Sequence, residues 1–369
     1  MHHLCHVLPS FGVGGVEVRL TQFINRYPDR YRHTIVALDG NTSCGARISP
    51  TANAALMSGA AGKGSLHYPL GLARQLHLID PDMVHTYGWG GSDGVLAARL
   101  ARIPVLHHET GLLAEETNGQ FPRRLWVRRA AFRLARGIVV PSFQLERIAR
   151  EQWWIPRQRV ERVAEGVDAA IFHPAAAETR AARRAEFRIE AHVVTIGTVG
   201  TLRTVKNHLR LLEAFHLAAI PDSLLLMIGD GPWRDRLAAR AAELGVAQRV
   251  IFAGELSTPV DALHAMDIYA ISSDSEQMPT SALQAMACGL PIASTDVGDI
   301  ASMVAIPNRP YVNGTGAEEL ARSLRALGND RGLRARLGVA NRERAGDRYP
   351  LERTLADHAR ITDAVLSRR

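Results

Sequence analysis

The stretch Ile268-Tyr269-Ala270-Ile271-Ser272-Ser273-Asp274-Ser275-Glu276-Gln277-Met278-Pro279-Thr280-Ser281-Ala282-Leu283-Gln284-Ala285-Met286-Ala287-Cys288-Gly289-Leu290-Pro291 decides the fold. Its first four residues form a short apolar run, the pattern of a strand buried on both faces. A polar loop carrying Glu276 follows, and a helix is expected to begin near Thr280. That helix stops at Gly289, and a new apolar run opens at Pro291. Strand, loop, helix and strand in this order make the repeating unit of a parallel sheet.

The same rhythm extends outward in both directions. Strands are expected at 5–8, 34–38, 83–85, 105–108 and 138–140, then again at 193–198, 223–228, 249–252, 268–271 and 291–294. Two such series imply an α/β protein of two Rossmann-like domains, each a doubly wound parallel sheet covered on both faces. The break falls around Glu165-Gly166-Val167-Asp168, ahead of Phe172-His173-Pro174 and a helix rich in alanine and arginine. The expected domains are therefore 1–168 and 169–346, with a C-terminal helix in 347–369 packing back on the first. The last part, 351–369, reads as a helix with a frayed basic end.

Composition narrows the class. At 369 residues, 46% hydrophobic and 22% charged, the chain is globular and long enough for two cores. No apolar run approaches the ~18 residues of a membrane-spanning helix. The opening Met1-His2-His3-Leu4-Cys5 leads directly into a strand and lacks the regions of a signal peptide, so export is not expected. Cys5, Cys44 and Cys288 form no C-x-x-C pair, which argues against a disulfide framework or a zinc site. A reduced, cytoplasmic compartment fits them. The net charge of +7 points to an anionic partner, whether nucleic acid, anionic lipid or a phosphorylated substrate, or else to solvated arginine-rich helix faces.

In open α/β sheets ligands sit beyond the carboxyl ends of the strands, so the loops there are the candidates. The first is Phe11-Gly12-Val13-Gly14-Gly15-Val16-Glu17. Its glycines allow close backbone approach and the next helix presents free N–H groups, which suits a phosphate. A dinucleotide fingerprint, supported by Asp39 but lacking glycine at Glu17, and a simple tight turn are the alternatives. The second loop, Gly197-Thr198-Val199-Gly200-Thr201-Leu202-Arg203-Thr204-Val205-Lys206-Asn207, carries two cations before a helix. Arg203 and Lys206 could clamp a diphosphate as its charge grows on leaving. The turn Gly229-Asp230-Gly231-Pro232 reads alone as structural. In the quoted stretch, Glu276 precedes the helix and Gln284 lies one or two turns inside it, so that one can address a sugar and the other a ribose.

Here the chain resembles glycosyltransferase family 4, retaining enzymes of GT-B architecture. That family carries Glu-x7-Glu, then Ala-Met-Ala-x-Gly-x-Pro and Thr-Asp-Val-Gly. This sequence has Glu276, Ala285-Met286-Ala287, Gly289, Pro291 and Thr295-Asp296-Val297-Gly298 in that register. Gly14-Gly15-Val16-Glu17, Gly166-Val167-Asp168, Gly229-Asp230-Gly231-Pro232 and Phe252-Ala253-Gly254 match too, so the resemblance covers nearly the whole chain.

The resemblance implies two Rossmann-like domains whose parallel sheets face across a cleft, the first for the acceptor and the second for a nucleotide-diphosphate sugar. It implies catalytic roles for Glu276, Lys206, His108 and Glu109. Donor contacts are implied at Gly14, Gly15, Thr201, Arg203, Gly229, Leu256, Met278, Pro279, Thr280 and Gln284. No metal, no separate cofactor and no nucleic-acid partner is expected; the acceptor would be a glycan or a lipid-linked molecule of bacterial polysaccharide or glycolipid synthesis.

Three positions depart from the family pattern. Gln284 stands for the second glutamate, Thr201 for an arginine, and Thr110-Gly111 for His-Gly, with His107, His108 and Glu109 just before it. A shifted histidine or Glu109 would take the missing role; otherwise the chain is a weak or non-catalytic nucleotide-sugar-binding relative, or a nucleotide-sugar epimerase. Finally, 123–136 holds six arginines interleaved with Leu125, Trp126, Phe132 and Leu134. It reads either as a solvated face over a buried stripe or as peripheral contact of 122–137 with the anionic inner face of the cell membrane.

Overall fold

The computed structural model describes residues 1–60, 67–112, 116 and 119–367. It divides into two compact units, Met1–Ala164 with Thr354–Arg369, and Glu165–Arg353. The last two arginines of the C-terminal helix expected from sequence lie outside the described residues.

The strands of the first unit are β1 (His2–Leu8), β2 (Tyr31–Ala37), β3 (Ala54–Ser58), β4 (Met83–Tyr87), β5 (Val105–His108), β6 (Gly137–Val140) and β7 (Val160–Arg162). Its helices include α1 (Gly15–Arg26), α2 (Tyr68–Ile79), α3 (Ser92–Leu100), α4 (Pro122–Leu134) and α5 (Phe143–Glu151). The sheet order is β3-β2-β1-β4-β5-β6-β7, with every pairing parallel.

The second unit repeats the scheme with β8 (Val194–Val199), β9 (Ser223–Ile228), β10 (Val250–Gly254), β11 (Ile268–Ile271), β12 (Ile292–Thr295) and β13 (Val312–Asn313). Its helices are α6 (Ala177–Glu186), α7 (His208–Ala218), α8 (Arg234–Glu243), α9 (Val260–Ala265), α10 (Thr280–Ala287), α11 (Ile300–Met303), α12 (Ala317–Asn329) and α13 (Arg331–Arg348). The strands run β10-β9-β8-β11-β12-β13, again parallel. Helix α14 (Leu351–Leu366) starts in the second unit and continues into the first.

Strands β3, β7 and β13 were not apparent in the sequence. All three are sheet edges. β3 is largely exposed, and β7 and β13 have three and two residues, so none needs the apolar run that marks a central strand.

The two interiors differ. In the second unit Ile196, Leu225, Met227, Ile268 and Ala270 pack with Leu211, Phe215, Leu320 and Leu324 from the helices. In the first sheet one face is largely apolar, with Cys5, Val7, Val36, Val84 and Val105 buried, though it also buries the bonded pairs His3–Thr34 and Thr86–His107, each at 2.8 Å. The opposite face carries imidazoles, because His6 lies directly across from His85 and Tyr87 across from His108. Tyr87 and His6 are bonded through the hydroxyl and Nδ1 at 3.0 Å, His6 and His33 at 2.9 Å, and His85 and His108 at 2.9 Å. His358 of α14 covers them, its ring 5.5 Å from that of His108. Burial pushes His33, His85 and His358 down to about 3, and His6 and His108 lie well below the usual histidine range for the same reason. All five rings are therefore neutral.

Candidate active site

In both sheets the chain turns back past its first strand, which makes a crevice at the strand ends between β1 and β4 and between β8 and β11. Such topological switch points are where open α/β sheets hold ligands. In the second unit they bring the quoted stretch beside the cationic loop.

β8 leads into Gly200, the short turn Thr204–Lys206 and then Asn207. Asn207 adopts a left-handed conformation (φ 43°), and its side-chain oxygen accepts from the Arg210 N–H at 3.3 Å to cap α7. Arg210 reaches back to the β11 loop, donating to the Ser272 carbonyl at 2.7 Å and to Asp274 at 2.6 Å. The backbone N–H of Asp274 donates to the Val205 carbonyl at 2.8 Å, and the Ser272 hydroxyl donates to the Lys206 carbonyl at 3.0 Å. The two loops are thus sewn together. The result is a contact between Lys206 Nζ and Glu276 Oε1 at 2.5 Å, with the Ser273 hydroxyl donating to the same oxygen at 2.7 Å. Glu276 is 11% exposed and Lys206 21%, so the pair is shielded yet reachable. Glu276 Oε2 makes no hydrogen bond among the described residues, and an ammonium with one bond made keeps two donors.

Two glycines make this packing possible. A Cβ at Gly298 (φ +59°) would stand 2.3 Å from the Glu276 carbonyl oxygen, and one at Gly229 (φ +124°) 2.2 Å from that of Gly200. The turn after β12 therefore supports the Glu276 loop, and the turn after β9 supports the Lys206 loop, to which it is tied by Leu202 N–H to Asp230 O at 2.9 Å. That gives the structural reading of Gly229-Asp230-Gly231-Pro232 its cause.

Of the other expected donor contacts, Thr201 and Arg203 are exposed on the Lys206 loop, and Arg203 has no ion-pair partner among the described residues. Thr280 and Gln284 are half-buried on α10, and Leu256 is half-buried beyond β10. Met278 and Pro279 are buried, and the Met278 sulfur accepts the Glu165 N–H at 3.2 Å, so Met278 acts within the protein's own packing. Arg210, Asp274 and Ser273 were missed from sequence. Their signal would have been a polar run at two strand ends, but the pairing needs the sheet order.

Gly14, Gly15, His108 and Glu109 belong to the first unit. Gly14 caps α1, but a Cβ there would lie 2.4 Å from the Glu17 carboxylate. That carboxylate stands at the helix start and is held by its own backbone N–H, while burial pushes its pKa up. A phosphate at Gly14-Gly15, as expected from sequence, would meet this negative group. His108 is locked in the imidazole array. Glu109 is fully buried, accepting from the Thr110 N–H at 3.2 Å and lying 3.8 Å from His107. A sugar would reach either residue only if that packing opened.

Helix α4 departs from a simple amphipathic reading. Arg128 is fully buried, donating to both oxygens of Glu116 at 2.7 and 2.8 Å, and its guanidinium lies 5.0 Å from the Trp89 ring and 5.6 Å from that of Trp153. Trp126 instead is 61% exposed, edge-on to Trp154. Burial pushes Cys5 and Cys288 up to about 12, which leaves both as unreactive thiols. Among the described residues no helix is long and apolar enough to cross a membrane, and no three His, Cys, Asp or Glu side chains are grouped to hold a metal.

Two doubly wound parallel sheets, with a lysine–carboxylate pair at the switch point of the second, define a two-domain Rossmann-like class, and the comparisons with known proteins give its family. Residues 13–171 match the family described as Glycosyltransferase Family 4, and residues 179–344 match Glycosyl transferases group 1. The chain belongs to glycosyltransferase family 4 and has the GT-B fold. It is 28% identical over 296 residues to the D-inositol 3-phosphate glycosyltransferase of Rhodococcus jostii (strain RHA1), covering 74% of this chain and 64% of that protein. It is 26% identical to the alpha-maltose-1-phosphate synthase of Mycolicibacterium smegmatis, over 72% of this chain and 75% of that one. The match to the D-inositol 3-phosphate glycosyltransferases of Rhodococcus and two Mycobacterium strains spans 52–64% of their length. Among solved structures, a sucrose-phosphate synthase from Thermosynechococcus elongatus superposes with a TM-score of 0.83 at 19% identity, over 100% of both chains. Anabaena Alr3699/HepE in complex with UDP-glucose gives 0.83 at 17%, over 99% of this chain and 100% of that one.

Proposed function

We propose that this protein is a glycosyltransferase that moves a hexose from a nucleotide-diphosphate sugar, with retention of configuration and without a metal, to a glycan or lipid-linked acceptor. The observation that carries the reading is the Lys206–Glu276 pair at the switch point of the second unit. Lys206, with Arg203 beside it, donates to the diphosphate and offsets the charge that grows on it as the glycosidic bond breaks. Glu276 accepts from donor-sugar hydroxyls through its unengaged oxygen, and Gln284 addresses the ribose. The departing phosphate takes the acceptor proton on the same face, which accounts for retention. Relatives that bind UDP or UDP-glucose put uridine nucleotides first among the donors to try.

A panel of nucleotide sugars in thermal-shift and product assays tests this. One donor should raise the melting temperature, and free nucleoside diphosphate should appear only when acceptor is present. Absence of any donor effect would reject the reading, and sugar interconversion without acceptor would make the protein an epimerase. Activity lost in EDTA and restored by magnesium or manganese would reject metal independence. Thr201 and Gln284 favour a second reading, a binding protein with little turnover, which a selective donor shift with no transfer would select.

For location we propose peripheral contact of 122–137 with the anionic inner face of the cell membrane. Exposed Trp126 and Trp154 support it, with Arg129 stacked 3.5 Å from the Trp154 ring.

A further inference from the structure

At the end of the first sheet opposite the Gly14 loop, the strands β5, β6 and β7 begin. Arg136 and Arg159 immediately precede or closely approach these starts, and Arg99 and Arg133 stand in the last turns of α3 and α4. Arg99, Arg133, Arg136 and Arg159 line one groove of about 510 Å³ together with Leu134 and Val365. Among the described residues no carboxylate lines it, and none of the four arginines has an ion-pair partner. Arg159 is fixed by donating to the Arg133 carbonyl at 2.8 Å. Burial, and then the neighbouring charges of Arg136 and Arg133, pull its pKa down. An adjoining groove of about 540 Å³ shares Arg99 and Arg136, adds Arg102, and among the described residues has one lining carboxylate, Asp80.

Helix ends account for only part of this. The negative C-terminal ends of α3 and α4 favour Arg99 and Arg133. Arg159 spends one N–H on the last-turn carbonyl of Arg133, while Arg136 stands before β6 and makes no hydrogen bond or ion pair through its side chain among the described residues. Like charges gathered around a groove repel one another, and an anion placed among them removes that cost. Guanidinium groups match phosphate oxygens in paired N–H bonds. We propose that this groove is a binding site for a phosphate-bearing anion, distinct from the donor site of the second unit. Phosphate oxygens take the guanidinium N–H groups, and Leu134 and Val365 meet an apolar part of the ligand. That chemistry belongs to a free phosphorylated molecule or to a phospholipid headgroup.

The test uses the full chain carrying Lys206→Ala with Arg203→Ala, so that both cations of the donor site are removed, with inorganic pyrophosphate in titration calorimetry. Saturable binding is expected, weakened at least about tenfold by Arg133→Gln with Arg136→Gln. Both side chains are exposed, so this pair should fold. Arg331→Gln with Arg336→Gln removes the same charge from α13 and should leave binding unchanged. A second arm measures retention on vesicles of phosphatidylcholine with phosphatidylglycerol. If pyrophosphate does not bind but vesicle retention falls with the groove pair and not with Arg123→Gln plus Arg129→Gln, which lie in 122–137 outside the groove, the ligand is a headgroup. An equal fall with both pairs reports the membrane contact of 122–137 and overturns the groove as a site. If neither probe responds to the groove pair, or the control pair weakens binding equally, the site is overturned.

Discussion

The two sheets obey the same winding rule and fill their interiors with opposite chemistry. The second buries leucine, isoleucine and methionine and keeps its charges at the strand ends, where Lys206 meets Glu276. The first sheet carries four neutral imidazoles on one face with His358 of α14 over them, and His33 Nε2 and His85 Nε2 have no hydrogen-bond partner among the described residues. A parallel sheet therefore tolerates a polar interior when the rings bond one another, but only while they carry no charge. The stability of the first unit should then depend on pH more steeply than that of the second, where one buried histidine, His208, is pushed down to about 4.

The largest effect expected is on acidification. The unfolded chain takes up protons at histidine below about pH 6.5, while the folded rings, with values near 3 or well below the normal range, refuse them. The unfolded state then binds more protons, so stability is fully present above about 6.5 and falls as the pH drops toward 3. Each ring contributes up to about 1.4 kcal/mol per pH unit, so several together approach the whole stability of a domain. Hydrogen exchange, corrected for intrinsic rate, should show protection of β1 and β4 lost at pH 5 and that of β8 and β9 retained. Equal loss in both sheets would break the comparison.

Next in size is the charged pair. Glu276→Gln should lower turnover about tenfold to a thousandfold with no change in the acid response, because it touches only the second unit. Turnover within twofold of the parent would remove Glu276 from the chemistry. Lys206→Ala should weaken nucleoside-diphosphate binding at least about tenfold in calorimetry and leave nucleoside affinity nearly unchanged. A similar loss in Arg203→Ala would show that both cations hold the diphosphate; full affinity in Lys206→Ala would move the phosphate site elsewhere. The smallest effect is expected from Gln284→Glu, which adds a charge-assisted bond to a ribose hydroxyl. Nucleoside affinity should rise by less than about tenfold, and a fall would place the ribose away from α10.

Central strands could be read from sequence because burial on both faces demands continuous apolar runs, and the loops holding Lys206 and Glu276 followed from their ends. The edge strands β3, β7 and β13 escaped because they are exposed or only two or three residues long, whereas the edge strand β10 was legible from its apolar Val250-Ile251-Phe252. The histidines escaped for another reason. Residues 6, 33, 85 and 108 fall on one face only once β2-β1-β4-β5 are known to be neighbours in that register.

What the sequence by itself determined is the alternation of buried strands with helices, the two-unit plan and the family motifs, since each rests on local periodicity or on short spacing. Only the tertiary structure decided which side chains meet. Lys206 and Glu276 are 70 residues apart and are joined by the adjacency of β8 and β11. The inward turn of Arg128 and the outward turn of Trp126 on α4 likewise follow from Glu116, 12 residues before Arg128, and from the Trp89 and Trp153 rings. A buried guanidinium needs partners on every side, and no local pattern along one helix records where those partners will be.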